Sequence, residues 1–174
     1  LLTAVVMGVE QVIAIDISDE KLEFARRCGA HQTLNSQSAN AIEWVQDITD
    51  GGVDYCVESA GLTDTIELGF ELLRDGGTLV FASHPPDGEL IELPPHSLIR
   101  GKRIIGSWGG ACQPDRDLPR IYELIKDRMK FLQPLLTHRY PLEDINLALA
   151  DLAAGRVFRP LVVMDHPDNG DSSS

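Results

Sequence analysis

Asp16 is the residue whose type and position most clearly indicate a chemical role. Asp16 directly follows the apolar run Val12-Ile13-Ala14-Ile15, which is typical of a parallel strand buried on both faces. A carboxylate at the carboxyl end of such a strand can accept hydrogen bonds from both ribose hydroxyls of an adenosine, and its charge repels a 2′-phosphate. Asp16 therefore indicates a site that favours NAD over NADP. The alternative role, an acid that only stabilises the start of the next helix, is already filled by Asp19 and Glu20.

The elements that would position Asp16 repeat a strand–helix unit. Ser18 can cap a helix that ends at Gly29, and its inward side is predicted to consist of Leu22, Ala25 and Cys28. Further strands are predicted at residues 31–35, 53–57 and 78–83. The helices between them are marked by Ile42, Val45 and Ile48 and, after a cap at Thr63, by Ile66, Phe70 and Leu73. Strands that alternate with helices predict an α/β fold with a doubly wound, Rossmann-like parallel sheet.

The pattern changes after Ser83. Loops are predicted at residues 84–88 and around Pro94-Pro95, followed by a strand at residues 103–108. A helix at 117–126, a strand at 135–140, a helix at 142–152 and a strand at 161–164 complete the sequence. The second of these helices is expected to turn Ile145, Ala148 and Leu152 inward.

Three segments follow from this reading. Residues 1–110 are expected to form a dinucleotide-binding domain, and residues 111–164 a C-terminal segment that packs with a second, catalytic domain. Residues 165–174 are rich in Asp, Ser and Gly and are expected to be a disordered tail.

The expected opening of a dinucleotide-binding domain is not found. Such a domain starts with a strand and a glycine-rich turn before the second strand and its acidic residue. Only residues 1–11 precede Val12, and Gly8 is their one glycine. We therefore expect the first strand and its glycine-rich loop to be missing, and the chain to be a fragment of a longer polypeptide.

Several stretches resemble the zinc-dependent medium-chain alcohol dehydrogenase family. The resemblance extends over residues 5–164, and its most specific part lies near the carboxyl end. The stretches that carry it are Asp16-Ile17-Ser18-Asp19-Glu20-Lys21-Leu22-Glu23-Phe24-Ala25, Cys28-Gly29-Ala30, Gly51-Gly52-Val53-Asp54-Tyr55, Leu73-Arg74-Asp75-Gly76-Gly77-Thr78-Leu79-Val80, Leu136-Thr137-His138-Arg139-Tyr140-Pro141-Leu142-Glu143-Asp144-Ile145-Asn146 and Gly155-Arg156-Val157-Phe158-Arg159-Pro160. This resemblance implies an NAD-dependent oxidoreductase that transfers a hydride between an alcohol and NAD.

The resemblance also assigns coenzyme-binding roles by position. Asp16 would hold the adenosine ribose with help from Lys21, and Ile17 and Ala60 would flank the adenine ring. Lys21 could equally be an ordinary surface lysine.

The resemblance also implies which residues contact the nicotinamide and the pyrophosphate of the coenzyme. Ala82, His84 and Ser107 would lie near the nicotinamide, mostly through backbone groups. Arg159 would reach the pyrophosphate, for which a guanidinium is well suited. His84 could also be a loop residue without a role, and Arg159 a surface arginine beside Arg156.

The resemblance implies zinc in the full-length protein, where the metal lowers the pKa of the bound alcohol. The family places its zinc ligands in an amino-terminal half that has no counterpart here. His31, His96, His138 and His166 are not spaced as a ligand set. We therefore assign no catalytic residue and no metal ligand to this chain, and we expect the chain alone to be inactive.

Composition excludes several other classes of protein. The chain has 15 Lys and Arg against 27 Asp and Glu, a net charge of −12, which argues against nucleic acid as a partner. No apolar run approaches the roughly 18 residues needed to span a bilayer, so no membrane is expected either. Cys28, Cys56 and Cys112 form neither a disulfide framework nor a metal motif, which favours a reducing cytoplasm.

Two alternatives stay open on the sequence. Asp16 and Leu73-Arg74-Asp75-Gly76-Gly77 also occur in methyltransferases that use S-adenosylmethionine, although those should end in an antiparallel hairpin. A non-catalytic nucleotide-binding module is the other. By resemblance, the partners are a small alcohol or aldehyde and further copies of the chain, as a homodimer or homotetramer joined near residues 103–108.

Overall fold

The structure is a computed structural model that describes residues 1–127, 135–136 and 138–164. The chain divides into two compact units, one of Leu1 with residues 3–120 and the other of Leu2 with the residues from 121 onward. The predicted boundary between residues 110 and 111 stays a prediction. The predicted disordered tail, residues 165–174, and His166 lie outside the described residues.

Strands and helices alternate along the first unit, as the sequence pattern predicts. The helices are α1 (Leu2–Val6), α2 (Asp19–Arg27), α3 (Ala41–Thr49), α4 (Thr63–Glu71), α5 (Pro95–Ile99) and α6 (Pro114–Ile125), the last of which reaches into the second unit. The strands are β1 (Ile13–Asp16), β2 (Gln32–Asn35), β3 (Val53–Glu58), β4 (Leu73–Phe81) and β5 (Arg103–Gly106). The second unit has β6 (His138–Pro141), α7 (Ile145–Ala153) and β7 (Pro160–Val163).

All strand pairs in the described residues are parallel. β1 pairs with β2, and β3, β4 and β5 form a second sheet in that order. β6 pairs with β7 in the second unit. Parallel strands joined through helices confirm the predicted α/β, Rossmann-like class. No described strand pairs with the other edge of β1 or of β3, which is where strand 1 lies in the 3-2-1-4-5-6 order.

Two apolar clusters hold the first unit together. Val45, which is 1% exposed, packs with Leu34 and Leu72, and partly buried Ile15 and Val53 contact that cluster. This cluster therefore joins the β1–β2 pair to β3 through α3. The second cluster lies between α4 and the three-stranded sheet and consists of Ile66, Phe70, Leu73 and Leu79. Each of these side chains is at most 2% exposed, and burial of this kind contributes about 1.5–3 kcal/mol per large side chain.

Several local predictions are wrong. Leu73 does not belong to the helix that follows Leu62 but is the first residue of β4. Thr63 does not cap α4: Leu62 occupies the cap position, and Thr63 is the first helical residue. The segment at Pro94-Pro95 is not only loop, because α5 begins at Pro95, and proline is favoured at the first helical position, where no N–H partner is needed.

The inward side of α7 is also narrower than predicted. Ala148 is 2% exposed, whereas Ile145 is 40% and Leu152 is 44% exposed. Ala148 packs with Tyr140 and Val157.

Candidate functional site

The carboxylate of Asp16 is oriented by its own turn. Oδ1 accepts a hydrogen bond of 2.9 Å from the Ser18 backbone N–H, and the Ser18 hydroxyl caps α2 by accepting from the Lys21 N–H. Oδ2 accepts no hydrogen bond from any described residue, and the Lys21 Nζ lies 3.9 Å from it. The Asp16 side chain is 33% exposed. One carboxylate oxygen is therefore held in place, while the other is available to a ligand.

Asn35 fixes this turn from the neighbouring strand, a role that sequence reasoning missed. Asn35 lies opposite Asp16 in the β1–β2 register. Its Nδ2 donates to the Ile17 carbonyl at 3.2 Å and to Asp19 Oδ1 at 2.7 Å, and its Oδ1 accepts from the Gln37 N–H at 3.0 Å. In the sequence, Asn35 is visible only as a polar residue at the end of the next strand. The pairing register shows that this residue lies opposite Asp16.

Glu58, at the end of β3, is the second residue that sequence reasoning missed. It is 5% exposed, and its carboxylate accepts from four donors: two on the loop after β3, one in α4 and one after β4. Oε1 accepts from the backbone N–H groups of Ala60 at 2.6 Å and Gly61 at 2.9 Å and from the Thr65 hydroxyl at 2.8 Å. Oε2 accepts from the Ser83 hydroxyl.

Burial and hydrogen bonding act on Glu58 in opposite directions. Burial disfavours the charged carboxylate, but the hydrogen bonds from Ser83, Gly61, Thr65 and Ala60 stabilise the charge more. The net result is a Glu58 pKa below its ordinary value of 4.5. Glu58 is therefore an ionised, fully bonded carboxylate inside the protein at neutral pH.

Three residues predicted near the coenzyme have their N–H groups occupied within the protein. The Ala60 N–H donates to the Glu58 side chain, and the Ala82 N–H donates to the Glu58 carbonyl at 3.0 Å. The Ser107 N–H donates to the Phe81 carbonyl at 2.9 Å. Carbonyl oxygens are thus the main-chain groups through which these residues can meet a ligand.

The His84 ring contacts the ring of Trp108, which follows β5. The rings of His84 and Trp108 lie 4.3 Å apart between centroids, at an interplanar angle of 75°. This edge-to-face arrangement is a favourable one for aromatic pairs. Trp108 is nevertheless 80% exposed. The pair joins the segments that follow β4 and β5 and leaves an aromatic surface open to a ligand or a partner.

The predicted residues fall into three places. Asp16, Ile17 and Lys21 lie together at the end of β1, with Ile17 62% exposed. Ala60, Ala82, His84 and Ser107 follow the carboxyl ends of β3, β4 and β5. The described hydrogen bonds and ion pairs do not connect these two groups.

The third place is in the second unit. Arg159 directly precedes β7 and is exposed, without an ion pair to another described residue. Arg156, by contrast, is bound to Asp151, which also accepts from the Tyr140 hydroxyl at 2.7 Å. Of the two arginines, Arg159 is therefore the one available to an anionic ligand.

Comparison with known proteins identifies the family. A profile described as zinc-binding dehydrogenase matches residues 1–127. The chain belongs to this family. It is 28% identical over 167 residues to a probable S-(hydroxymethyl)glutathione dehydrogenase 1 of Schizosaccharomyces pombe, an alignment that covers 94% of this chain and 44% of that protein. It is 27% identical to alcohol dehydrogenase 1 of Solanum tuberosum, over 92% of this chain and 43% of that one.

Two solved structures of dehydrogenases have the same fold. An alcohol dehydrogenase zinc-binding domain protein from Burkholderia ambifaria matches with a TM-score of 0.88 and 32% identity, over 95% of this chain and 45% of that chain. Benzyl alcohol dehydrogenase from Acinetobacter calcoaceticus matches with a TM-score of 0.88 and 29% identity, over 95% and 46%. The chain thus spans less than half the length of these relatives. The predicted family and fold class are confirmed.

The described part of this zinc-binding dehydrogenase does not fit a zinc ion. No group of three or more His, Cys, Asp or Glu side chains comes together in residues 1–127, 135–136 and 138–164. Burial raises the pKa of the Cys56 thiol to about 11 and also raises that of Cys28, which disfavours the thiolate form that zinc requires. The described residues of this chain therefore offer no set of zinc ligands.

The methyltransferase alternative predicted an antiparallel hairpin at the carboxyl end. The structure instead pairs β6 with β7 in parallel, and the relatives are dehydrogenases. The alternative is therefore not favoured. Within the part of the chain that the structure describes, no helix combines the length and the apolar character that crossing a membrane requires.

Proposed function

We propose that this chain is the coenzyme-binding part of an NAD-dependent alcohol dehydrogenase. The observation that carries the proposal is the Asp16 carboxylate at the end of β1. Its Oδ1 is fixed by the Ser18 N–H, and its Oδ2 lies 3.9 Å from the Lys21 ammonium and accepts no hydrogen bond from any described residue. An acid in this position accepts hydrogen bonds from the adenosine ribose. Because Oδ1 is already held, little orientational freedom is lost when the ribose binds.

The exposed positions around Asp16 give the adenosine its remaining contacts. Ile17 offers an apolar side chain at 62% exposure, which suits an adenine face. The Lys21 ammonium lies 3.9 Å from Oδ2 and can itself bond the ribose. Asn35 holds the turn through the Ile17 carbonyl, so it acts on the ligand only through these residues.

The segment after β3 flanks the adenine ring through Ala60, and the segments after β4 and β5 receive the rest of the coenzyme. A nicotinamide dinucleotide, when bound, supplies the hydride acceptor for alcohol oxidation. Ala60, Ala82 and Ser107 can bind it through carbonyl oxygens, since their N–H groups are occupied. His84 and Trp108 offer ring surfaces, and Arg159 a guanidinium for the pyrophosphate.

The substrate class and the zinc follow from the family. We propose that the whole protein holds zinc through residues outside the described part of this chain, and that it acts on a small alcohol or aldehyde. Two relatives, a benzyl alcohol dehydrogenase and a probable S-(hydroxymethyl)glutathione dehydrogenase, support an alcohol substrate. Because this chain lacks a zinc-ligand cluster in its described residues, we expect it to be inactive alone.

Further copies of the protein are proposed to assemble through β5. This strand pairs with β4 on one side, and no described strand pairs with its other edge, where Ile105 is 50% exposed. An open apolar edge of this kind favours a homodimer, or a homotetramer built from dimers. The three cysteines are free, which supports a reducing cytoplasm as the location.

Calorimetric titration of the intact protein tests the proposed function. We expect NAD to bind at least about tenfold more tightly than NADP, because Asp16 repels the 2′-phosphate. S-adenosylmethionine should not bind, and tight binding of that molecule instead of NAD would contradict the proposal. NAD binding without alcohol-dependent NAD reduction in the zinc-loaded intact protein would indicate a non-catalytic nucleotide-binding module.

A further inference from the structure

The buried Glu58 carboxylate joins two segments that are far apart in sequence. Its Oε1 is bound to the loop directly after β3, and its Oε2 is bound to Ser83, which lies 25 residues away, after β4. Ser83 stands between Ala82 and His84, and all three residues follow β4 directly. Glu58 is therefore the point at which the two loops are attached to each other.

We propose that Glu58 is a positioning residue for the coenzyme: its carboxylate fixes the loop that carries Ala60 relative to the loop that carries Ala82. The inference rests on the proposed function, because its consequence is a change in dinucleotide binding. In that function the loop after β3 serves the adenine end and the loop after β4 serves the nicotinamide end. Glu58 then sets the geometry between the two ends before the ligand arrives.

The carboxylate is suited to this role for a chemical reason. An ionised carboxylate only accepts hydrogen bonds and can satisfy several donors at once. The four donors around Glu58 use both of its oxygens, and at 5% exposure water hardly competes for them. Removal of Ser83 Oγ breaks the link between the carboxylate and the loop after β4. The bonds of Oε1 to Ala60 and Gly61 remain, as does the main-chain bond from the Ala82 N–H to the Glu58 carbonyl.

Because Ser83→Ala removes only the bond between the carboxylate and the loop after β4, it can separate a role of Glu58 in positioning the loops from a role in stabilising the fold. We would measure the Kd of NAD and of AMP for the intact protein and for Ser83→Ala, at a temperature where both are fully folded. AMP reports only on the adenosine end. We expect Ser83→Ala to raise the Kd of NAD about tenfold, because the loop after β4 is no longer held in place before the ligand binds, and that of AMP by less than about twofold.

Two further variants test the carboxylate itself. Glu58→Gln keeps the shape, because its Oε1 can still accept from the Ala60 and Gly61 N–H groups while its amide donates to the Ser83 hydroxyl. We expect it to bind NAD within about threefold of the unmodified protein, whereas Glu58→Ala should lose more affinity than Ser83→Ala. Asp151→Asn is the matched control, since it changes another hydrogen-bonded acid, in the second unit.

The outcomes are distinct. If the unmodified protein binds neither NAD nor AMP, the proposed function fails and this inference fails with it. If NAD binds normally but Ser83→Ala leaves its Kd unchanged, or raises the AMP and NAD values equally, only the positioning role of Glu58 is wrong. Should Glu58→Ala not fold, the comparison of Ser83→Ala with Asp151→Asn still decides.

Discussion

Replacing Asp16 by Asn should shift coenzyme preference from NAD towards NADP. The amide is nearly the same size as the carboxylate, and its oxygen can still accept from the Ser18 N–H that now holds Oδ1 at 2.9 Å. The turn is therefore expected to keep its shape. What changes is the charge that the ligand meets.

Two contributions set the magnitude. A hydrogen bond to a charged acceptor is worth about 1 kcal/mol more than one to a neutral acceptor, which predicts an NAD Kd roughly five- to tenfold higher. A unit charge about 4 Å from a phosphate costs roughly 1–4 kcal/mol, depending on solvent screening. Because Asp16 is 33% exposed, we take the lower part of that range. NADP affinity should then rise about tenfold, helped by Lys21, whose ammonium lies 3.9 Å from Oδ2.

The measurement is the ratio of the two Kd values by calorimetric titration of the intact protein. Together the two contributions predict a change of roughly a hundredfold in that ratio. Glu20→Gln is the matched control, because Glu20 is an exposed acid in the first turn of α2. A ratio that moves by less than about threefold in Asp16→Asn, or that moves equally in the control, would refute the role assigned to Asp16.

Three further perturbations follow from the structure. The pKa of Glu58 in the folded protein is below its ordinary value of 4.5. The ionised carboxylate therefore stabilises the folded state fully above pH 4.5, and this contribution is lost as pH falls through the folded-state pKa. Urea midpoints measured across acidic pH should fall less steeply in Glu58→Gln than in the unmodified protein. Gly52→Ala should cost more than about 3 kcal/mol of unfolding free energy and Gly51→Ala about 1 kcal/mol. The reason is that both have positive φ, but only at Gly52 would a Cβ lie 2.6 Å from a main-chain nitrogen of β4; equal losses in thermal unfolding would contradict this. Exposed Cys112 should react with a thiol reagent at pH 8 well before Cys56, whose pKa burial raises to about 11, and mass spectrometry of the labelled peptides measures the order.

Local patterns made much of the fold predictable. The apolar run before Asp16 and the cap at Ser18 act over a few residues. Both the strand and the cap are found, although β1 is half-buried and not fully buried as predicted. Leu22, Ala25 and Cys28 are buried, as their helical spacing indicated. Such features depend on backbone geometry that is the same in any protein, so sequence alone suffices to place them.

Other features depend on which strands lie side by side. Asn35 acts on the Asp16 turn only because β1 and β2 pair in one register. Likewise Trp108 meets His84 only because β4 and β5 are neighbours. Neither residue carries a local signal of its role, since the contacts are made across 16 or more residues of chain.

The sequence by itself determined the alternation of strands and helices, the position of Asp16 and the family to which its motifs belong. The tertiary structure alone showed that Glu58 joins two loops and that α7 turns only Ala148 inward. The physical reason is the range of the interactions. Capping and periodicity are set within one or two turns of chain, whereas a buried carboxylate finds its donors only after distant segments have been brought together.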